Sequence, residues 1–375
     1  MINIIYYVYI ILMKYIFVDG FDIVWNGYTA RYENGISGSN GAIMYLAEAI
    51  AKDKNNTVEI VSTANNTIEN TYLNVKYTNF INFEYQSCNY IITVNVLNTL
   101  SILDKIENYN KIIILTQNDL YSYEKLFNID KNKILIGYIS EFAKTNILNV
   151  QPFLKEYSNI LLYNSIDLND LNNISIVEHK IKKNQLCFFA CYDRGYKMVI
   201  EIIDKLNNYQ LVFNNYYNIS IQNHKVIITE NSAKNTIFKY ISESKYFVYP
   251  LINLDNNCIH YDTFGYVVLE ALSLGCIVIA PRIKVFEELY GDAICYIDTD
   301  DIIPIDDLLY WKKQNSNFGY PILDRYIEKI KLLDDNEELC NSYINKGLLL
   351  KEKFCNIKIA SILTNYLSDN FENIS

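Results

Sequence analysis

Short, continuous runs of apolar residues recur along the chain, separated by segments with helical periodicity. Runs of this length without polar alternation are typical of parallel strands whose sheet is covered by helices on both faces. Helices between successive strands also supply the crossovers that a parallel sheet needs, so the predicted fold class is α/β with doubly wound sheets. The predicted strands are 14–18, 58–62, 90–96, 111–116, 133–139 and 159–163, then 185–191, 209–215, 225–229, 246–250, 276–280 and 294–297.

These strands fall into two groups, and 375 residues exceed what one hydrophobic core usually fills. We therefore predict two doubly wound domains, with the boundary in the Asn- and Lys-rich stretch 166–184, which shows little periodicity. Ligands of open parallel sheets bind beyond the carboxyl ends of the strands, so two such domains facing each other predict a binding cleft. The predicted helices are 41–52, 197–206, 233–243, 264–274, 336–350 and 357–369.

Composition and charge exclude several classes of protein. Half of the residues are hydrophobic, which excludes a mostly disordered chain, and 8 Cys are too few for a disulfide scaffold. The net charge of −10 comes without a basic stripe, so neither nucleic acid nor an anionic membrane is expected as the main partner. Residues 1–13 are almost wholly apolar but lack the charged start of a signal peptide. We interpret them as an N-terminal extension or a misplaced start, with a peripheral membrane anchor as the alternative.

Three segments carry side chains suited to chemistry, and the first is the glycine-containing loop 35–41. It stands directly before a predicted helix, where glycines allow close backbone approach and the unpaired N–H groups favour a phosphate. Its spacing matches neither a dinucleotide-binding motif nor a P-loop. A plain loop with a helix cap is therefore the alternative interpretation.

The second segment is 193–197, which follows a predicted strand and opens a helix. Arg194 and Lys197 are placed to hold a diphosphate, because a guanidinium binds its oxygens in a fork and an ammonium adds a point charge. Four arginines occur in the whole chain, which gives one at this turn more weight. A solvated helix start capped by Asp193 is the alternative.

The third segment, 260–281, joins a loop, a helix and a buried strand. The loop meets the start of the predicted helix at Phe264-Gly265. Asp262 before the helix and Glu270 two turns into it can contact opposite ends of one extended, hydroxyl-rich ligand. Glu270 stands among apolar residues of a core-facing helix, which disfavours the alternative of two unrelated surface carboxylates.

The stretch 262–270 resembles the E-x7-E signature of family-4 retaining glycosyltransferases, which have the GT-B fold. Asp262, Phe264, Gly265 and Glu270 fall on this signature in register. Similar matches in the family's order are Ser37-Gly38-Ser39-Asn40 before the helix 41–52, Asn164-Ser165-Ile166-Asp167 at the domain junction, Asp193-Arg194-Gly195, and the segments 271–280 and 288–293.

The resemblance implies roles for the residues of the third segment. Glu270 would hold the ribose hydroxyls of a nucleotide sugar, and Asp262 would hold sugar hydroxyls near the reacting carbon. Thr263, Phe264 and Gly265 would bind the donor through the loop, whose backbone N–H groups would steady the sugar and phosphates.

The other two segments would act on the leaving group. By resemblance, Arg194 and Lys197, with the loop at Ser37 and Gly38, would stabilise negative charge as the nucleoside diphosphate departs. The acceptor proton would pass to that phosphate, so a side-chain base is not required. No Asp-x-Asp stands in the context of a metal-dependent sugar transferase, so we expect no divalent metal and no cofactor besides the nucleotide-sugar co-substrate.

The chain also departs from the family pattern. Asp262 is one methylene shorter than the usual glutamate, and Ser37 replaces the first glycine of its loop. Gln117 lies where many members have a histidine, and Ser165 replaces the glycine of the junction motif. His260 matches no family position, and we interpret it as structural or exposed.

The resemblance implies a cytoplasmic, retaining, metal-independent glycosyltransferase, of hexosyltransferase type, with at most peripheral membrane contact. It would move a sugar from a nucleotide sugar to a glycan, lipid or protein-linked acceptor. An epimerase or phosphorylase on the same scaffold and a non-catalytic nucleotide-sugar-binding protein are the alternatives. The predicted domains are the extension 1–13, an acceptor domain 14–170, a donor domain 171–350, and 351–375, a C-terminal helix packing back on the first domain.

Overall fold

A computed structural model describes residues 12–20, 25–63, 70–94, 99–117, 123–215, 220–230, 232–254, 258–260, 262–299, 311–313 and 319–369. Residues 1–11 of the predicted N-terminal extension lie outside these ranges, and so do residues 370–375 of the predicted C-terminal segment.

The first half of the chain forms one eight-stranded sheet. Its strands are β1 (Met13–Asp19), β2 (Asn56–Ser62), β3 (Asn70–Tyr72), β4 (Val75–Asn79), β5 (Tyr90–Val94), β6 (Lys111–Thr116), β7 (Ile134–Tyr138) and β8 (Ser158–Leu161). Their order is β3-β4-β2-β1-β5-β6-β7-β8, and neighbours are parallel except for the antiparallel pair β3 and β4.

The second half forms a six-stranded parallel sheet and a small antiparallel one. The strands are β9 (Lys183–Phe188), β10 (Gln210–Asn214), β11 (Val226–Thr229), β12 (Ser244–Val248), β13 (Ile252–Asn253), β14 (Cys258–His260), β15 (Ile277–Pro281), β16 (Cys295–Ile297) and β17 (Trp311–Lys313). The order of the parallel sheet is β11-β10-β9-β12-β15-β16, and β13-β14-β17 form the small sheet.

Helices lie between the strands and close the chain. They are α1 (Gly27–Tyr32), α2 (Gly38–Ile50), α3 (Glu141–Val150), α4 (Leu168–Asn172), α5 (Tyr196–Lys205), α6 (Lys234–Glu243), α7 (Tyr266–Ser273), α8 (Lys284–Tyr290), α9 (Gly319–Asp334), α10 (Glu337–Lys353) and α11 (Asn356–Asp369).

Strand β1 shows why the apolar runs are continuous. Tyr15 and Phe17 pack in the hydrophobic cluster on one face of the first sheet, whereas Ile16 and Val18 pack in the cluster on the other face. Successive side chains of a strand point to opposite faces, so a sheet covered on both sides needs apolar residues at every position. The two sheets, parallel except for the pair β3 and β4, confirm the predicted α/β fold of two doubly wound, Rossmann-like domains.

The C-terminal helix α11 packs against α2 of the first domain. Its Ile359 and Leu363 lie in the same buried cluster as Ile43 and Leu46. All four side chains are buried, and full burial of one aliphatic side chain contributes roughly 1.5–3 kcal/mol to folding. The helix α11 therefore returns to the first domain, whereas α10 packs against α7 of the second.

The chain crosses between the domains at two neighbouring places. The Ile166 N–H donates to the Phe354 carbonyl at 3.0 Å, and the Asn356 N–H donates to the Ile166 carbonyl at 2.9 Å. The two connections therefore run side by side. Within the described ranges, no helix combines the length and apolar character that crossing a bilayer requires.

Candidate functional site

Asp262 organises the loop that precedes α7. Its Oδ1 accepts hydrogen bonds from the backbone N–H of Phe264 at 3.1 Å and of Gly265 at 2.7 Å. Its Oδ2 accepts a third from the Tyr249 hydroxyl at 2.7 Å. A carboxylate has roughly four lone-pair positions, so about one is left for a ligand. The sequence predicts that these two loop N–H groups donate hydrogen bonds to a sugar or a phosphate, and in this state they donate to Asp262 instead.

We expect Asp262→Ala to lower the free energy of unfolding by about 1–2 kcal/mol, because the loop N–H groups lose their acceptor. Urea denaturation measures the change. Asp262→Asn is the matched control, since an amide oxygen can still accept from both N–H groups. Equal stabilities of the alanine variant and the wild type would contradict this loop-capping role.

A left-handed glycine follows in the same loop. Gly265 has φ +73°, and a Cβ at this position would lie 2.7 Å from Cε1 of Phe286. A side chain is therefore excluded both by backbone conformation and by space. The Tyr290 hydroxyl donates to the carbonyl of Phe264 at 2.6 Å, which fixes the next peptide of the loop.

Thr263 connects this loop to the first domain. Its hydroxyl donates to the Gln117 carbonyl at 2.6 Å, and its carbonyl accepts from the Ser140 hydroxyl at 3.0 Å. These bonds place the loop at the carboxyl end of β6, which is the edge where parallel sheets bind ligands. The sequence predicts Thr263 as a donor-binding residue, and its hydroxyl is occupied by this contact between the domains.

Arg194 lies at a tight turn between β9 and α5. The following Gly195 has φ +108°, and a Cβ there would lie 2.9 Å from the Ile252 carbonyl. The Arg194 guanidinium lies 3.9 Å from the Asp193 carboxylate, and its side chain is 17% exposed. Lys197 follows in the first turn of α5 and is half-buried. The two predicted cations therefore flank one helix start.

His260 packs behind this turn and is fully buried. Its Nδ1 lies 3.6 Å from the Asp193 carboxylate. Burial and the nearby Arg194 guanidinium lower the pKa of His260 to about 4, against the opposing effect of Asp193. The imidazole is therefore neutral at pH 7 and adds no positive charge beside Arg194, which fits the structural interpretation of this histidine.

The buried Tyr249 phenol lies between the cationic turn, which carries Arg194, and the acidic loop, which carries Asp262. Burial raises its pKa well above the ordinary value, and the Asp262 carboxylate adds to that rise. The Arg194 guanidinium opposes it. Tyr249 therefore feels both charges, so Arg194 and Asp262 belong to one electrostatic environment.

Glu270, on the second turn of α7, is buried and forms an ion pair with Lys234. The Lys234 ammonium donates to Oε1 of Glu270. It also lies 5.7 Å from the ring centroid of Tyr45 and 5.3 Å from that of Tyr266. The sequence did not identify Lys234, although it predicts a helix that begins beside it. The sequence contained no signal that would pair it with Glu270.

The start of α2 packs directly against α7. Ser37 caps α2, and its Oγ accepts from the Asn40 N–H at 3.2 Å. A Cβ on Gly38 would lie 3.3 Å from the Tyr266 Cβ, and one on Gly41 would lie 3.7 Å from the Lys234 Cε. The glycines therefore permit close approach of side chains of the second domain, and the predicted approach to a phosphate at this loop stays a prediction.

Gln117, in the position where family members often have a histidine, pairs with Asn164. Gln117 Nε2 donates to Asn164 Oδ1 at 2.8 Å, and Asn164 Nδ2 donates to Gln117 Oε1 at 3.0 Å. Both residues are buried. The two amides satisfy each other without a titratable group.

Arg31 forms a buried network that the sequence did not predict. Its Nη1 and Nη2 donate to the two carboxylate oxygens of Glu48 at 2.9 and 2.7 Å. Its Nε donates to Asp170 at 2.7 Å. The rarity of arginine in this chain was the available signal, but nothing in the sequence named the partners.

No protein-family model matches the sequence, and no curated protein sequence matches it. The structure is similar to that of sucrose-phosphate synthase from Thermosynechococcus elongatus, with a TM-score of 0.69 and 12% identity over 97% of this chain and 100% of that one. It is also similar to Anabaena HepE in complex with UDP and glucose, with a TM-score of 0.61 and 11% identity over 95% and 100%. A third similar structure is WaaG, a glycosyltransferase involved in lipopolysaccharide biosynthesis, with a TM-score of 0.57 and 9% identity over 94% and 99%. At these identities the likeness shows the fold, which is the GT-B arrangement of two Rossmann-like domains.

Proposed function

We propose that this protein is a glycosyltransferase that moves a sugar from a nucleotide sugar to a glycan, lipid or protein-linked acceptor, with retention of configuration and without a divalent metal. The observation that carries this proposal is the loop at the start of α7. There Asp262 holds the loop through its N–H groups, Gly265 takes the left-handed conformation, and the buried Glu270 follows on α7, whose Tyr266 packs against Gly38 at the start of α2. The similarity to HepE, whose complex contains UDP and glucose, supports a nucleotide sugar as donor.

The donor would lie along the edge of the second sheet. Glu270 binds the ribose hydroxyls through Oε2, which takes part in no hydrogen bond within the described part of the chain. Arg194 and Lys197 neutralise the diphosphate at the start of α5. The start of α2 at Gly38 approaches the same phosphates from the first domain.

Transfer would depend mainly on electrostatics at the leaving group. Negative charge grows on the nucleoside diphosphate as the bond to the sugar breaks, and the cations of the α5 turn stabilise it. Asp262 accepts two hydrogen bonds from the N–H groups of its loop and one from the Tyr249 hydroxyl. Its remaining lone pair accepts from a sugar hydroxyl. The acceptor proton passes to the leaving phosphate, so the uncharged Gln117 is compatible with transfer.

A donor enters only after the domains separate. Tyr266 fills the space beside Gly38, and its hydroxyl donates to the Ser165 carbonyl at the domain junction. We expect a hinge at the paired crossings near Ile166, with closure over the donor excluding water.

A calorimetric screen against UDP-, GDP-, ADP- and TDP-sugars tests the proposal. We expect one nucleotide to bind in preference to the others and its sugar to be transferred with retention. Absence of binding to every donor would reject the proposal. Donor binding without transfer or hydrolysis over an acceptor panel would favour the second candidate, a nucleotide-sugar-binding protein, which the fully paired Gln117 amide supports.

We expect Arg194→Ala to lower turnover of the bound donor by about 10²–10³-fold, because one stabilising donor at the developing charge is removed. Release of nucleoside diphosphate measures the rate, and thermal unfolding checks the fold. Arg282→Ala is the control, because Arg282 pairs with Asp298 and Glu287 at the surface, where its side chain is 41% exposed. Wild-type turnover in Arg194→Ala would reject its role at the diphosphate.

A further inference from the structure

The Lys234–Glu270 pair lies where the two domains meet. Lys234 begins α6, and Glu270 is on α7, so both belong to the second domain. The ring of Tyr45, which comes from α2 of the first domain, covers the ammonium at 5.7 Å. Both side chains of the pair are 7% exposed. A buried carboxylate without a counter-charge is strongly unfavourable, so the Lys234 ammonium stabilises the Glu270 carboxylate at this buried position.

The geometry of the pair leaves half of the carboxylate available. Lys234 bonds to Oε1 of Glu270, whereas Oε2 accepts no hydrogen bond from the residues that the structure describes. The ammonium is held in turn by aromatic rings, with Phe238 at 5.5 Å and Tyr266 at 5.3 Å from their centroids. Cations over aromatic faces are stabilised electrostatically, and more so when they are desolvated. One oxygen of the Glu270 carboxylate is therefore fixed by Lys234, and the other can accept a hydrogen bond from a ligand.

We propose that Lys234 is a positioning residue of the donor site, which holds Glu270 by one oxygen so that the other meets the ribose hydroxyls of a nucleotide. This inference rests on the proposed function. It predicts that Lys234 acts through Glu270 and makes no contact with phosphate itself.

The charged and titratable groups around Glu270 support a dominant role for Lys234. Besides the ammonium, the phenols of Tyr45, Tyr266 and Tyr290 lie close enough to Glu270 to interact electrostatically with its carboxylate. Burial raises the pKa of all three phenols well above the ordinary value, so they are neutral in the physiological range. The Arg31 guanidinium, which pairs with Asp170, lies 5.5 Å from the ring centroid of the same Tyr45. Lys234 is the cation that bonds directly to Glu270 among the described residues.

Calorimetry with UDP, GDP, ADP and TDP on the full-length protein tests the inference. We expect Lys234→Met to weaken the Kd of the preferred nucleotide by at least about ten-fold, because the carboxylate loses its orientation and counter-charge. Lys234→Arg, which keeps the charge, should recover part of that loss. Lys239→Met is the matched control, since it removes an exposed lysine from the same helix and should leave the Kd unchanged.

A double-mutant cycle separates positioning from direct contact. In a Glu270→Gln background, Lys234→Met should cause no further loss of affinity. The double variant buries no charge at this site, so we expect it to fold even if Lys234→Met alone does not. An additional ten-fold loss in that background would overturn the inference in favour of a phosphate contact. Unchanged or tighter binding by Lys234→Met would also overturn it, because Lys234 would then be irrelevant or would block the site. A wild-type protein that binds none of the four nucleotides would reject the proposed function together with this inference.

Discussion

Replacing Arg31 with leucine is expected to lower the free energy of unfolding by about 3–5 kcal/mol, because it leaves two buried carboxylates without their counter-charge. The guanidinium is almost fully buried and contacts both Glu48 and Asp170. Urea denaturation at pH 8 measures the change. Arg282→Leu is the control, because pairs as exposed as those of Arg282 contribute roughly 0–1 kcal/mol.

The loss caused by Arg31→Leu should also grow with pH. Burial raises the pKa of Glu48 to about 7 in the folded protein, from 4.5 for the exposed group, although Arg31 opposes the rise. A carboxyl whose folded pKa lies above its unfolded pKa loses stability as the pH increases through that interval. Without Arg31 the opposing effect disappears, so the variant should be affected more at pH 8 than at pH 5. A destabilisation below about 1 kcal/mol at pH 8 would show that the network is not held by Arg31.

The second large effect is expected at the proposed nucleotide-sugar site. Glu270→Ala should weaken the Kd of the preferred nucleoside diphosphate by about 100-fold, since hydrogen bonds to a charged acceptor contribute about 1.5–3 kcal/mol each. Isothermal titration calorimetry measures the affinity, and Glu270→Gln shows how much of the loss is due to charge. Glu352→Ala on α10 removes an exposed carboxylate and serves as control. An unchanged Kd in Glu270→Ala would reject the ribose role, whatever the behaviour of Lys234.

The main strands were predictable because their signal is local. Each predicted apolar run overlaps an observed strand, from β1 to β16, since a strand buried on both faces must be apolar along its whole length. The sequence missed β3 and β4, whose polar and apolar residues mix at the edge of the first sheet. It also missed the helices α1, α3, α4, α8 and α9. Helix α4 lies inside the stretch assigned as a linker, and its five residues are too few to show periodicity.

The candidate site was predictable in part for a similar reason. Asp262, Gly265 and Glu270 are close in sequence, so their spacing on a loop and a helix start already places them together. The sequence did not predict that Asp262 would turn back onto its own loop. Aspartate is one methylene shorter than glutamate, so its carboxylate reaches the backbone N–H groups two and three residues later, at Phe264 and Gly265. Aspartate commonly makes such bonds before a helix.

The sequence by itself determined the alternation of buried strands and helices, the two-domain organisation and the position of the acidic loop, because each depends on residues within one element or one turn. The tertiary structure alone decided which charges meet. Lys234 pairs with Glu270 across 36 residues, and Arg31 pairs with Asp170 across 139. Partners so far apart along the chain are brought together by the packing of helices from different parts of the fold, and a buried charge takes whichever opposite charge that packing places beside it.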